Sequence, residues 1–305
     1  MKKKIIIDTD PGHDDAMAIM LAVKSGAFDI LAITTVCGNS TIENTTRNAR
    51  FVLQVLDRED IPVYSGANKP LKQDLIQAVV HGKTGLEGID PTNEAKLTNN
   101  AVDKIIELIK KYPGEITLVT LAPLTNIAMA IQKDPKTMDK LKQIVTMGGA
   151  INVAGNKNRV AEFNVFVDPD AAKIVFDFPV KKTLVPLDAC NHVQLTLKDF
   201  QSITNKNLQN ILVKLVKPYI QNIAKDVGVH AALMYDPLTV YYLLDANACK
   251  RYDDNVLVET EGEITRGMTV IDKRSVKDDL KPNMTIVTHI SQAKFRRTFI
   301  NFLSR

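Results

Sequence analysis

Four carboxylates, Asp8, Asp10, Asp14 and Asp15, fall within eight residues in the run Ile5-Ile6-Ile7-Asp8-Thr9-Asp10-Pro11-Gly12-His13-Asp14-Asp15. Crowded acids resist ionisation, because each negative charge raises the cost of the next. A divalent cation removes that conflict and can lower the pKa of a bound water, arming it for hydrolysis. No Cys or His pair lies nearby, so the set suits a hard ion, Ca2+ or Mg2+, better than zinc. A plainer alternative is that Asp10 and Asp14 cap the following helix, where acids are favoured. Four acids exceed what a cap requires.

Those acids need a scaffold that brings them together. The apolar run before Asp8 predicts a strand over residues 5–8, and residues 13–24 carry apolar side chains at helical spacing. The alternation continues: strand 30–36, helix 43–56, helix 101–110, strand 116–121, helix 124–132, strand 144–147, helix 170–176 and strand 183–185. Continuous apolar strands separated by helices predict an α/β fold with a mainly parallel central sheet flanked by helices. In such a sheet, ligands bind at the carboxyl ends of the strands, where the acidic turn lies. Residues 195–244 read as a helical C-terminal elaboration, after which strand-like runs return at 256–259, 268–271 and 286–288 before a last helix. With no Ser/Gly-rich linker or internal repeat, residues 1–305 read as one domain. The long polar stretches 73–97 and 148–164 are candidate active-site loops, since structureless loops of that length are uncommon unless functional.

Composition narrows the function classes. Among 305 residues, 45% are hydrophobic and 24% charged, the balance of a globular protein with a substantial core. There is no tryptophan and aromatics are only 6%, so the core is aliphatic. The net charge of +4 is small, and the basic groups at Lys2 to Lys4 and Arg296-Arg297 are too short to argue for nucleic acid. The apolar run after the N-terminal lysines is too short for a signal peptide, and no segment is long enough to span a membrane. Cys37, Cys190 and Cys249 lack metal-ligand spacing and read as reduced, buried thiols of a cytoplasmic protein.

The run Asp8-Thr9-Asp10-Pro11-Gly12-His13-Asp14-Asp15-Ala16 resembles the signature of the inosine-uridine-preferring nucleoside hydrolase family. Further blocks extend the likeness: Val36-Cys37-Gly38-Asn39, His81-Gly82-Lys83-Thr84-Gly85-Leu86, Leu121-Ala122-Pro123-Leu124-Thr125-Asn126, Met147-Gly148-Gly149, and Ala161-Glu162-Phe163-Asn164 with Asp168-Pro169. The resemblance implies a Rossmann-like nucleoside hydrolase fold, a nucleoside as the small-molecule partner, and a homodimer or homotetramer. It implies a Ca2+ held by Asp10, Asp15, the Leu121 carbonyl and Asp236, with Asp10 as general base toward the attacking water. It also implies ribose contacts from Asp14, Asn39, Asn156, Glu162 and Asn164, with backbone help from Met147. Without the resemblance, Asp236-Pro237 reads as an ordinary helix start.

One position departs from the family pattern. Many members carry histidine immediately before the last calcium-binding aspartate, where it protonates the departing base; this chain has Tyr235. Histidine titrates near ~6.5 and tyrosine near ~10, so tyrosine is the weaker acid. Tyr235 could donate a hydrogen bond or stack on the base, and His81 could reach the base from its loop. His230 reads as structural or exposed, His13 as a packing or orienting residue, and His192 and His289 as structural. Two rival functions follow. A haloacid-dehalogenase-type phosphatase fits Asp8-Thr9-Asp10 but leaves the other blocks unexplained, and a non-catalytic nucleoside or ribose binder is suggested by Tyr235 alone.

Overall fold

The structure is a computed structural model that describes residues 2–276 and 279–305. Eight strands form one sheet. The first six are β1 (Lys3–Thr9), β2 (Phe28–Thr35), β3 (Val63–Ser65), β4 (Thr117–Thr120), β5 (Gln143–Met147) and β6 (Lys182–Val185). Their spatial order is β3-β2-β1-β4-β5-β6, followed by the strands Met284–Ile290 and Cys249–Asp254. All neighbours pair in parallel except the last two, which are antiparallel. This is the doubly wound arrangement expected from the alternating pattern.

The period-2 geometry of a strand sends alternate side chains to opposite faces. Ile7, Ile33, Val119, Val145 and Val185 face one apolar layer, with the helices His13–Ser25 (α1), Tyr235–Leu244 and Gln292–Leu303. Ile6, Ala32, Leu118, Ile144 and Leu184 face the other, under the helices Ala101–Lys111, Thr125–Lys133 and Pro169–Asp177. Ten consecutive residues of α1, from His13 to Ala22, are buried, so this helix lies within the protein rather than on it. It stops where Gly26 turns left-handed, at φ 64°, with its N–H on the Val23 carbonyl at 3.2 Å.

Two strands of the main sheet escaped the sequence reading, as did the short pair Gln194–Leu195 and Ala232–Leu233. Val63–Ser65 is too short to show a period, and Cys249–Asp254 is a charged edge strand whose polar residues guard an open border. The strand-like runs near 257 and 269 do form a pair, Leu257–Val258 against Thr269–Val270, but outside the main sheet. Residues 195–244 are largely helical, with Leu197–Gln201, Lys206–Val227 and Tyr235–Leu244. Residues 66–100 carry no regular element. Among the described residues no helix is long and apolar enough to cross a membrane. All three cysteines are buried and unpaired.

Asp8 sits at the end of β1 but points into the layer opposite Ile7, level with Thr34 on β2 and Thr120 on β4. Its Oδ1 accepts from Thr34 Oγ1 at 2.6 Å and from Asn126 Nδ2 at 2.8 Å. Asn126 also donates to the Thr35 carbonyl and accepts from the Ala67 N–H, tying three chain segments together. Asp8 Oδ2 is buried without a partner among the described residues. Burial therefore outweighs the two hydrogen bonds and pushes the carboxyl up to about 7. A carboxyl raised in this way favours the folded state while it stays protonated. Its contribution is full below the ordinary carboxylate range and is lost as pH rises through about 7. Asp8→Asn is expected to stay neutral and avoid that loss. Its urea midpoint should gain on the parent's across about pH 4 to about pH 7; parallel curves would refute this.

Candidate active site

The chain reverses its sideways progress at β1, with β2 on one side and β4 on the other. That switch point opens a crevice beyond the strand ends, and the acidic turn fills its floor. Gly12 is the residue before the first turn of α1, and Asp15 is the third residue inside it. Asp15 Oδ2 accepts from the Gly12 N–H at 3.0 Å and from Asn39 Nδ2 at 3.0 Å. Its Oδ1 accepts from Thr9 Oγ1 at 2.5 Å and from the Asp10 N–H at 3.3 Å. The capping acid is thus Asp15, not Asp10 or Asp14.

Asp10 leaves β1 and turns toward the end of β2. Its Oδ2 accepts from the Asn39 N–H at 2.6 Å, while its Oδ1 is buried with no partner among the described residues. The preceding Gly38 must be glycine, since a Cβ there would lie 2.0 Å from Asp10 Oδ2. Asp236 arrives from the far end of the chain. Its helix begins at Tyr235 with Met234 as the cap, so Asp236 is the second helical residue and does not cap the helix. One carboxylate oxygen each of Asp14, Asp15 and Asp236 lies within 4.8 Å of the others. The tightest acidic trio therefore includes Asp14, which the sequence reading gave to the sugar, with Asp10 beside it. Asp8 stands apart on the other face of the sheet.

Burial is the main reason all four acids sit above the ordinary carboxylate range, and the charge of Asp15 adds to it for Asp10, Asp14 and Asp236. Fully buried carboxylates with one bare oxygen are an unfavourable arrangement for an apoprotein. Hard oxygen donors crowded around one point fit a divalent cation of the calcium or magnesium type.

Above the floor lies a cleft lined by Asp14, Asn39, His81, Leu121, Met147, Asn156, Glu162, Asn164, Tyr235 and Asp236. Asp10 and Asp15 lie beneath its lining, fully buried. Glu162 caps the short helix Phe163–Val167: its carboxylate accepts from the N–H groups of Asn164 at 2.9 Å, Val165 at 3.1 Å and Gly149 at 3.0 Å. Asn164 Nδ2 donates to the Leu121 carbonyl at 2.9 Å. Asn156 Oδ1 accepts from the Phe163 N–H, which seats it at the rim.

The roof comes from residues 78–81, which the sequence marked as a loop, and from Tyr219, Ile223 and Val227 of the long helix Lys206–Val227. Tyr219 escaped prediction because a buried aromatic in a helix carries no functional signal. It stacks on His13 and on His81. His81 Nδ1 lies 3.0 Å from His13 Nδ1, and His81 Nε2 lies 3.8 Å from Asp14 Oδ1. His13 Nε2 meets the Glu87 carbonyl at 3.0 Å. Asn222 Nδ2 donates to the Val80 carbonyl and to Glu87 Oε2, so the roof is fastened at both ends. Burial holds both imidazoles neutral, with His13 lowered to about 4 and His81 well below its ordinary value. The Tyr235 hydroxyl donates to Asn191 Oδ1 at 3.2 Å, and burial pushes the phenol far up. His230 is exposed, and His192 and His289 stack on each other away from the cleft.

The sequence profile of the inosine-uridine preferring nucleoside hydrolases matches residues 5–297. The chain belongs to this family. It is accordingly a nucleoside hydrolase, an enzyme that acts on N-glycosyl bonds, which sets aside the phosphatase and the non-catalytic binder. Pyrimidine-specific ribonucleoside hydrolases RihA from Enterobacter sp. strain 638 and Shewanella woodyi are 38% and 39% identical, each covering 97% of this chain and 96% of their own. Among solved structures, a plant nucleoside hydrolase, PpNRh1, superposes with a TM-score of 0.92 at 32% identity, covering 100% of this chain and 99% of its own. A purine-preferring ribonucleoside hydrolase from Gardnerella vaginalis gives 0.90 at 30%, covering 99% and 98%. The relatives divide between purine and pyrimidine bases, while the architecture is common to them.

The raised acids give the nucleoside hydrolase a pH signature. Stability from a carboxyl held above its ordinary range is full at low pH and falls as pH climbs through the folded value. Stripped of divalent cations, the protein should melt at lower temperature at about pH 8 than at about pH 5, and added Ca2+ should raise the melting temperature more at the higher pH. Equal Ca2+ increments at both pH values would count against a cation in the acidic floor.

Proposed function

We propose that this nucleoside hydrolase is calcium-dependent and splits ribonucleosides into ribose and free base with a water deprotonated by Asp10. The observation that carries this reading is the bare, buried Asp10 Oδ1 next to the Asp14, Asp15 and Asp236 trio. Asp10, Asp15, Asp236 and the Leu121 carbonyl would hold the ion. When bound, Ca2+ supplies charge that lowers the pKa of water and favours a vicinal diol. Asp10 would divide its tasks: Oδ2, anchored by the Asn39 N–H, has a second lone pair to offer the ion, and Oδ1 remains to accept a proton. General-base help of this kind adds about 10²–10⁴-fold.

The ribose has partners on every wall. Asp14, Asn39, Asn156, Glu162 and Asn164, all on the lining of the cleft, would take its hydroxyls, with help from the Met147 backbone. Cleavage develops positive charge on the ribosyl ring. Glu162 and Asp14 place carboxylates beside it in a dehydrated pocket, where such charge is stabilised more than the neutral substrate. Tyr235 and His81 stand on the lining as neutral groups that would hydrogen-bond the leaving base; with the phenol pushed up and the imidazole uncharged, both are weak proton donors. On the same reading, residues 1–305 form one domain of a cytoplasmic, homo-oligomeric enzyme of nucleoside catabolism and salvage.

Free-base release from inosine, uridine, cytidine, adenosine and deoxyuridine, with and without chelator, tests the reaction. Chelator should abolish release, and deoxyuridine should be the poor substrate because it lacks the diol. Asp10→Asn should lower kcat by about 10²–10⁴-fold with an unchanged circular-dichroism spectrum; parental turnover in that variant would remove Asp10 as the base. Tyr235→Phe should slow inosine or uridine but spare nitrophenyl riboside, whose leaving group departs without a proton. Equal losses on both would exclude Tyr235 from leaving-group assistance.

A further inference from the structure

The Leu257–Val258 and Thr269–Val270 pair lies outside the main sheet, yet it touches the turn that holds Glu162. Met268 forms a β-bridge with Ala161, the residue before Glu162. Thr269 is buried and takes both polar backbone groups of Ala150: the Ala150 N–H donates to Thr269 Oγ1 at 2.9 Å, and Oγ1 donates to the Ala150 carbonyl at 2.8 Å. The adjoining Gly149 has φ 78°, and a Cβ there would lie 3.1 Å from Thr269 Oγ1 and Cγ2. Gly149 in turn donates its N–H to Glu162 Oε2 at 3.0 Å. Two successive residues of the hairpin thus grip the chain on both sides of one carboxylate.

We propose that Thr269 is a positioning residue that fixes the Glu162 carboxylate against the ribosyl ring by clamping the Gly149–Ala150 backbone. The inference rests on the role given above to Glu162. The hydroxyl is the active part. Thr269 Oγ1 pins the two peptide planes that flank Ala150, one bond each, and the Leu187 N–H holds the Gly149 carbonyl of the first at 2.9 Å, so the backbone at Gly149 is fixed and its N–H stays aimed at Glu162. A misplacement of about 1 Å in a reacting group costs up to about 10²-fold in rate. The neighbouring Ile151 is secured independently, by Asp188 on its N–H and Lys273 on its carbonyl. Losing Thr269 Oγ1 should therefore loosen the Glu162 contact without unfolding the loop.

The test is a double-mutant cycle on kcat and KM with inosine or uridine as substrate. Thr269→Val keeps the shape and should lower kcat by about 10-fold to about 10²-fold, with KM moving less. Thr269→Ser keeps the hydroxyl and should retain most of the parental rate. Glu162→Gln removes the charge and leaves a single acceptor oxygen for three N–H donors; in that background Thr269→Val should cost nothing further, because coupled residues are not additive. If Thr269→Ser is impaired as much as Thr269→Val, packing and not the hydroxyl is responsible. If Thr269→Val costs the same fold in both backgrounds, the positioning role is overturned. Parental rates in Glu162→Gln would overturn the assignment of Glu162 itself, a result distinct from lost coupling. Should Thr269→Val fail to fold, Thr269→Ala enters the same cycle.

Discussion

Dehydration of crowded carboxylates is the constraint around which this site is organised. Asp10, Asp14, Asp15 and Asp236 would each be comfortable alone in water. Packed at the end of β1 beneath the cleft they lose that water, and the charge of Asp15 raises the cost of ionising the other three. The scaffold meets part of that cost with hydrogen bonds. Asp15 receives four donors from the turn and from Asn39, which makes it the best-satisfied acid of the group. Asp10 receives one, and of the oxygens of these four acids its Oδ1 is the one both fully buried and unpartnered among the described residues. A site built this way is unfavourable empty and favourable loaded, the usual exchange of stability for function.

The doubly wound sheet makes the arrangement possible because it separates the four acids of one short run. Alternation along β1 sends Asp8 into the layer with Ile6 and Leu118, where Thr34 and Asn126 receive it. The next acids fall beyond the strand, where Pro11 and Gly12 begin a helix that is itself buried. One face of the sheet therefore carries a structural carboxyl and the crevice a chemical cluster, although only one residue separates Asp8 from Asp10 in the chain.

Much of this was legible from the sequence because period and composition report local geometry. The β1 turn and the blocks near 39, 121 and 147 mark strand ends, the block near 162 marks a helix start, and the fold gathers them into one cleft. What the sequence hid was set by long-range packing. The capping role moved from Asp10 and Asp14 to Asp15, because hydrogen-bond reach, not charge, decides which acid serves a helix end. The Asp236 cap reading failed since the helix starts at Tyr235, two residues before Pro237. Tyr219 became part of the roof only because a helix more than a hundred residues downstream lies across the cleft. The edge strand Cys249–Asp254 has no apolar period at all, and its identity comes from its partner Met284–Ile290.

His13 gives the first turn of α1 a second duty. Its neighbours Asp14 and Asp15 belong to the floor, while its ring holds His81 and Glu87 of the roof. A stiff helical turn thus joins the two surfaces between which a guest must fit. The acidic floor and the roof therefore share one stiff turn, and Asp14 or Asp15 could not shift without disturbing the hold of His13 on His81 and Glu87. Any coupling between a ligand on the floor and one under the roof would run through that turn and be reciprocal.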